Sequence, residues 1–215
     1  MTFAQEIRQS HETPVEAVVT PRKSKSLQKL RDAARTCFLS DGFHNTRPQD
    51  IAREAGVASG TFYLHFVDKK AAFLDFAEQA QDELIALNAR NLAGLNEPSS
   101  RWRQIFQTLV EFGSDNPGLL QAAFLDPVLI APNDEKAWEL YDRVGLLVEL
   151  ALQEDRESSR ALSDEYDLAL ISHAICGALR HAMTYAIRRD IDPERVIENL
   201  TRFVDHGLAI DPQKK

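Results

Sequence analysis

The chain has 215 residues, 44% of them hydrophobic, with a net charge of −8. That is enough for a sizeable packed core, and no apolar run approaches the length of a membrane span. Cys37 and Cys176 sit far apart within apolar helical patterns, which excludes a disulfide framework and, with no apolar leader at the N-terminus, points to a cytoplasmic protein.

The first 23 residues are polar, carry Pro14 and Pro21 and keep no period. A flexible N-terminal arm is expected over 1–23, running into the basic stretch "PRKSK". From Ser26, Leu27, Leu30, Ala34, Phe38 and Leu39 fall at helical spacing, and Gly42 suits the stop. A second, short helix carries Ile51, Ala52 and Ala55. Its start is open: Thr46 with Gln49 fits a capping box, while Pro48 at the first position makes Arg47 the cap. Gly56 breaks that helix, and a third element runs from Ala58 to Phe66.

Asp68 caps a long fourth helix reaching roughly Leu92, with Phe73, Leu74, Phe76, Ala77, Ala80, Leu84 and Leu87 on its inner side. The turn "NEPSS" precedes a helix holding Trp102, Ile105, Phe106, Leu109, Val110 and Phe112. A short helix follows with Leu119, Leu120 and Phe124. Residues 126–134, with two prolines, are expected as a loop. Another helix spans about Glu135 to Gln153, followed by the polar connection 154–160. Two final helices cover about Ser163–Arg188 and Pro193–Leu208. No period-2 alternation of any length appears, so the fold class is all-α with about nine helices.

Charge is unevenly spread. Between Thr20 and Lys70 there are ten Lys/Arg against five Asp/Glu, so the acidic balance lies elsewhere in the chain. A basic segment of this kind suggests a surface for a polyanion. Within it, two short helices joined at Gly56 form a helix-turn-helix, whose second helix can enter the major groove of DNA. Ile51, Ala52, Val57 and Phe62 are expected to hold the two at a fixed angle. Gly60 leaves no side chain where backbone could approach DNA. Ser59 and Thr61 offer hydroxyls to base edges or phosphates, and Tyr63, His65 and Lys69 can donate to phosphates.

The stretch from Leu27 to Phe76 resembles the N-terminal DNA-binding domain of the TetR family of bacterial transcriptional regulators. The likeness rests on Gly42-Phe43, Thr46, Ile51-Ala52, Ala55-Gly56-Val57, Gly60-Thr61, Tyr63, His65-Phe66 and Lys69. It implies a DNA-binding domain over 24–70, a ligand-binding and dimerisation domain over 71–215, and a homodimer built by the last two helices. It also implies a repressor released from a near-palindromic operator by a small-molecule effector. Carried over by position, Gln49, Ser59 and Thr61 would read bases, while Tyr63, His65, Lys69 and, more weakly, Lys25 would meet phosphates. Three positions depart from the family: Arg47 stands where Ser or Thr is usual and could add a phosphate contact, Ala58 lacks the usual hydroxyl cap, and Leu64 is apolar. Leu64 either touches a thymine methyl or packs.

Trp102, Phe106, Phe112, Phe124, Trp138 and Tyr141 give aromatic area for a ligand pocket, or for plain core. The ligand itself is open. Ile171, Ile175, Ala178 and Leu179, with Val196, Leu200 and Phe203, form apolar stripes on the last two helices that suit a bundle across a two-fold axis. His173, Cys176 and His181 do not share one face and lack a fourth ligand, so no metal is expected. With no acid pair, nucleophile elbow or phosphate loop, no enzyme and no cofactor are expected either. The alternative reading is an architectural or cell-cycle DNA-binding protein of the same fold, controlled by a protein partner. A helical interaction module that has lost DNA binding is a further one, resting on the weak cap at Ala58.

Overall fold

The computed structural model describes residues 21–95, 98–124, 126–157 and 167–207. Among them are ten α-helices and no strand: α1 (Pro21–Asn45), α2 (Pro48–Glu54), α3 (Ser59–Tyr63), α4 (Lys69–Asn91), α5 (Pro98–Asp115), α6 (Leu119–Phe124), α7 (Asp126–Ile130), α8 (Glu135–Glu157), α9 (Leu168–Arg189) and α10 (Pro193–Gly207).

Several boundaries differ from expectation, each for a local reason. Helix α1 begins at Pro21, so 21–23 of the expected arm are helical; residues 1–20 lie outside the described residues. The prolines of 126–134 misled, because Pro127 stands second in α7, where a missing N–H costs nothing. Ala131 N–H donates to Pro127 O at 2.9 Å and closes that turn. Helix α8 continues four residues beyond Gln153 because Asp155 turns inward and is buried. Helix α9 starts at Leu168, five residues later than expected, where the Asp167 carboxylate accepts the Leu170 N–H at 3.1 Å. The expected last residue of α10, Leu208, lies outside the described residues.

The chain divides into two compact units. One holds the described residues up to Asp82 together with Asn116–Tyr141. Its centre is aromatic. Phe38 of α1 meets Phe73 of α4 edge-on, with ring centroids 5.2 Å apart, and Phe43 meets the same ring at 5.2 Å. Arg31 donates to both oxygens of Asp75, at 3.0 and 2.7 Å, in a bidentate pair that fixes α1 on α4. Buried Gln81 donates from Nε2 to Ala123 O and Leu140 O, both at 3.2 Å, and so ties α4 to α6 and α8.

The second unit holds Glu83–Asp115 and the residues from Asp142 onward. Trp102, Phe106 and Val110 of α5 join Val148 and Leu152 of α8, Ile175 and Leu179 of α9, and Ile197, Leu200 and Val204 of α10 in one core. Among the described residues of this unit one carboxylate is buried. Asp155 accepts from Trp102 Nε1 at 2.7 Å and from Arg101, which also pairs with Glu154. Burial raises both thiols above their ordinary range, Cys176 up to about 11. No helix among the described residues is long and apolar enough to cross a membrane.

Candidate nucleic-acid interface

The chain turns toward α2 at Gly42, a kink within the last turns of α1, at φ 74°, ψ 169°, a conformation open to glycine and costly for other residues. Thr46 then fastens it. Its buried hydroxyl donates to Gly42 O at 2.8 Å and Cys37 O at 3.2 Å, so Thr46 is a clasp on α1 and not the cap of α2. The cap position belongs to Arg47, whose backbone N–H donates to the Asp50 carboxylate at 3.1 Å. Pro48 follows as the first helical residue.

The second corner is Gly56, at φ 64°. Val57 N–H bonds back to Ala52 O at 3.0 Å, and α3 follows at once from Ala58, which supplies no side-chain cap. Ile51, Ala52 and Phe62 are fully buried and set the angle between α2 and α3; Val57 is only half-buried. With Phe62 and Phe66 inward, the opposite side of α3 presents Ser59, Gly60, Tyr63 and Leu64, all exposed. Tyr63 is 54% exposed and Leu64 72%, so Leu64 does not pack.

The other candidate residues divide. Gln49, Arg47 and Lys25 are exposed, and Thr61 is half-buried. His65 is half-buried, with Nε2 2.8 Å from the Ser26 hydroxyl, which joins the turn after α3 to the start of α1. Lys69 is tied inward. Its ammonium donates to Phe43 O at 2.7 Å and reaches His44 O at 3.4 Å, while lying 4.3 Å above the Phe43 ring. There it satisfies carbonyls at the end of α1. Spacing could not reveal this role, because a lysine written beside a helix start carries no mark of the distant carbonyl it serves.

The six aromatics considered for a pocket are not gathered in one unit. Trp102, Phe106 and Phe112 are buried in the second unit. Trp138 and Tyr141 belong to the first; they meet edge-on with centroids 5.8 Å apart and remain 46% and 41% exposed. The Phe124 side chain lies outside the described residues. Of the interface candidates, Ile175, Leu179 and Leu200 are buried in the chain's own core, Ile171, Ala178 and Val196 are half-buried, and Phe203 is exposed. Among the described residues no group of three His, Cys, Asp or Glu side chains could hold a metal ion.

A glycine-cornered pair of short helices, clasped to a third and carried on a basic segment, defines a helix-turn-helix DNA-binding domain. Residues 30–75 match the family model described as bacterial regulatory proteins, tetR family. The match covers less than half of the chain, and over those residues the domain resembles the DNA-binding domain of the TetR family of bacterial transcriptional regulators. It is similar to the uncharacterized HTH-type transcriptional regulator YdgC of Bacillus subtilis, 22% identical over 86% of this chain and 93% of that protein. Two solved structures share the fold. The fatty acid degradation regulator FadR of Bacillus halodurans is 19% identical, with a TM-score of 0.70 over 86% of this chain and 95% of that one. Thermus thermophilus FadR, a transcriptional repressor in complex with lauroyl-CoA, is 23% identical, with a TM-score of 0.67 over 87% and 97%.

Proposed function

We propose that this protein is a dimeric transcriptional repressor that binds a near-palindromic operator through α3 and is released by a small-molecule effector. The observation that carries the reading is the exposed arc Ser59, Gly60, Tyr63 and Leu64, held outward by the burial of Phe62 and Phe66. On this reading Gln49, Ser59 and Thr61 approach base edges. Arg47, Tyr63, Lys25, His65 and Lys69 serve phosphates, which set register. The dimer contact uses the outward sides of α9 and α10, where Leu170, Tyr185, Ile187 and Phe203 are exposed, with Ala178 and Val196 at their margin. Ile175, Leu179 and Leu200 are assigned to the core beneath.

The first effector to test is a long-chain acyl-CoA, because the Thermus FadR of the same fold is in complex with lauroyl-CoA. An effector that prefers the state with displaced recognition helices shifts the population off DNA. The test is selection of bound duplexes from a random pool by the purified protein. The expected product is a two-fold symmetric site with half-site centres about 34–36 Å apart, or a multiple of that. Adding lauroyl-CoA to the complex should then release the DNA. A pool with no enriched sequence contradicts the reading, and release by other metabolites but not by acyl-CoA contradicts the effector class.

A further inference from the structure

The exposed side of α3 carries no charged side chain: from Ser59 to Leu64 it offers two hydroxyls, a phenol, a bare glycine and a leucine. The helix itself therefore lacks the forked donors that read guanine in pairs. Leu64 stands opposite Phe62 and Phe66 and is 72% exposed, although a leucine side chain loses free energy by facing water. Gly60 lies one helical turn before it, on the same side. Nothing lies within 4 Å of where a Cβ on Gly60 would sit. Leu64 itself is the C-cap residue of α3, still in the right-handed helical region at φ −76°, ψ −16°.

We propose that Leu64 is a specificity residue that contacts a thymine 5-methyl group in the major groove, Gly60 being the gap that admits the base-pair edge. The proposal rests on the DNA-binding reading and deepens it. The methyl is the one apolar group on the major-groove edge of a base pair, and an aliphatic side chain is what pairs with it. Its continuity with Ser59 and Tyr63 on one arc commits the leucine to the same occupant as those hydroxyls. A leucine facing water is thereby covered only in the specific complex.

The test uses the full-length protein and a duplex obtained by selection, with each thymine replaced in turn by deoxyuridine, which removes the methyl and nothing else. One symmetric position should weaken binding about fourfold when changed in one half-site and about fifteenfold when changed in both. Leu64→Ala should bind the thymine duplex more weakly by the same factor and be indifferent to uridine there, with an unchanged melting temperature because the side chain is exposed. A uridine scan that is flat throughout, or a Leu64→Ala variant that keeps the full uridine penalty, overturns the assignment. Salt-sensitive binding of the duplex in that case leaves the DNA-binding reading intact. Failure to bind any duplex overturns both.

Discussion

Gly145 of α8 has no side chain because the ring of His173 occupies its place. A Cβ there would come within 2.3 to 2.8 Å of three ring atoms. The ring is not free to swing away, since Nδ1 lies 2.8 Å from Ala169 O and Nε2 lies 3.6 Å from the Asp142 carboxylate. Gly145→Ala should therefore destabilise the protein by about 1–3 kcal/mol in urea unfolding. In a His173→Ala background the same change should stabilise by up to about 1 kcal/mol, as alanine does over glycine inside a helix. Equal cost in both backgrounds would disprove the contact. Lys69 has an equally local test. Lys69→Met should lower the melting temperature, because the Phe43 carbonyl loses its donor, and should reduce the salt slope of DNA binding by about one. A lower melting temperature with an unaltered slope would make Lys69 a purely structural residue. Cys176 adds a pH effect. Its folded pKa of about 11 lies above the ordinary 9.0, so the unfolded chain loses its proton first, and stability should fall as pH rises from about 9 to 11. Cys176→Ala should flatten that part of the stability–pH curve.

Helices here were legible where their periodicity was long and their ends were marked by glycine, proline or aspartate. Gly56 follows the end of α2 and Asp68 precedes α4 as their chemistry suggests, Gly42 breaks α1 three residues before its end, and Ala71 N–H does donate to Asp68 at 2.8 Å. What the pattern misjudged was set by contacts distant in sequence. The stretch 154–157 looks like a solvated connection, yet Trp102 and Arg101, more than fifty residues earlier, hold Asp155 inside and the helix continues around it. Asp155→Ala should cost about 3–5 kcal/mol by leaving Arg101 and the Trp102 N–H without their buried acceptor, measured by denaturant unfolding. Loss below about 1 kcal/mol would contradict that account. Helix α3 gives the opposite case, in which a weakness read from sequence is a feature of the structure. Ala58 has extended dihedrals suitable for a cap, φ −66° and ψ 145°, but no acceptor. Ala58→Ser should therefore stabilise by about 0.5–1 kcal/mol, with no change in stability telling against it.

At the scale of the whole molecule, basic charge is concentrated in one segment. Ten basic residues gather between Thr20 and Lys70 in a protein of net charge −8, and that segment contains the helix-turn-helix. The site was legible in part for the same reason: Ser59, Gly60 and Tyr63 alternate with the buried Phe62 at a period that sequence displays. Whether Leu64 packs or projects, and where the Lys69 ammonium goes, depended on neighbours that only the folded chain supplies. The apolar stripes of α9 and α10 were ambiguous on similar grounds, since one face serves the core and another is left exposed. On the proposed reading the exposed arc of α3 lies against duplex DNA, and equilibrium binding across a salt series tests this most directly. Affinity for a selected duplex should fall linearly on a log–log plot between about 50 and 200 mM salt, with the slope of several phosphate contacts. The substitution Tyr63→Ala should weaken it. Binding that is absent, or indifferent both to salt and to that substitution, would contradict the account.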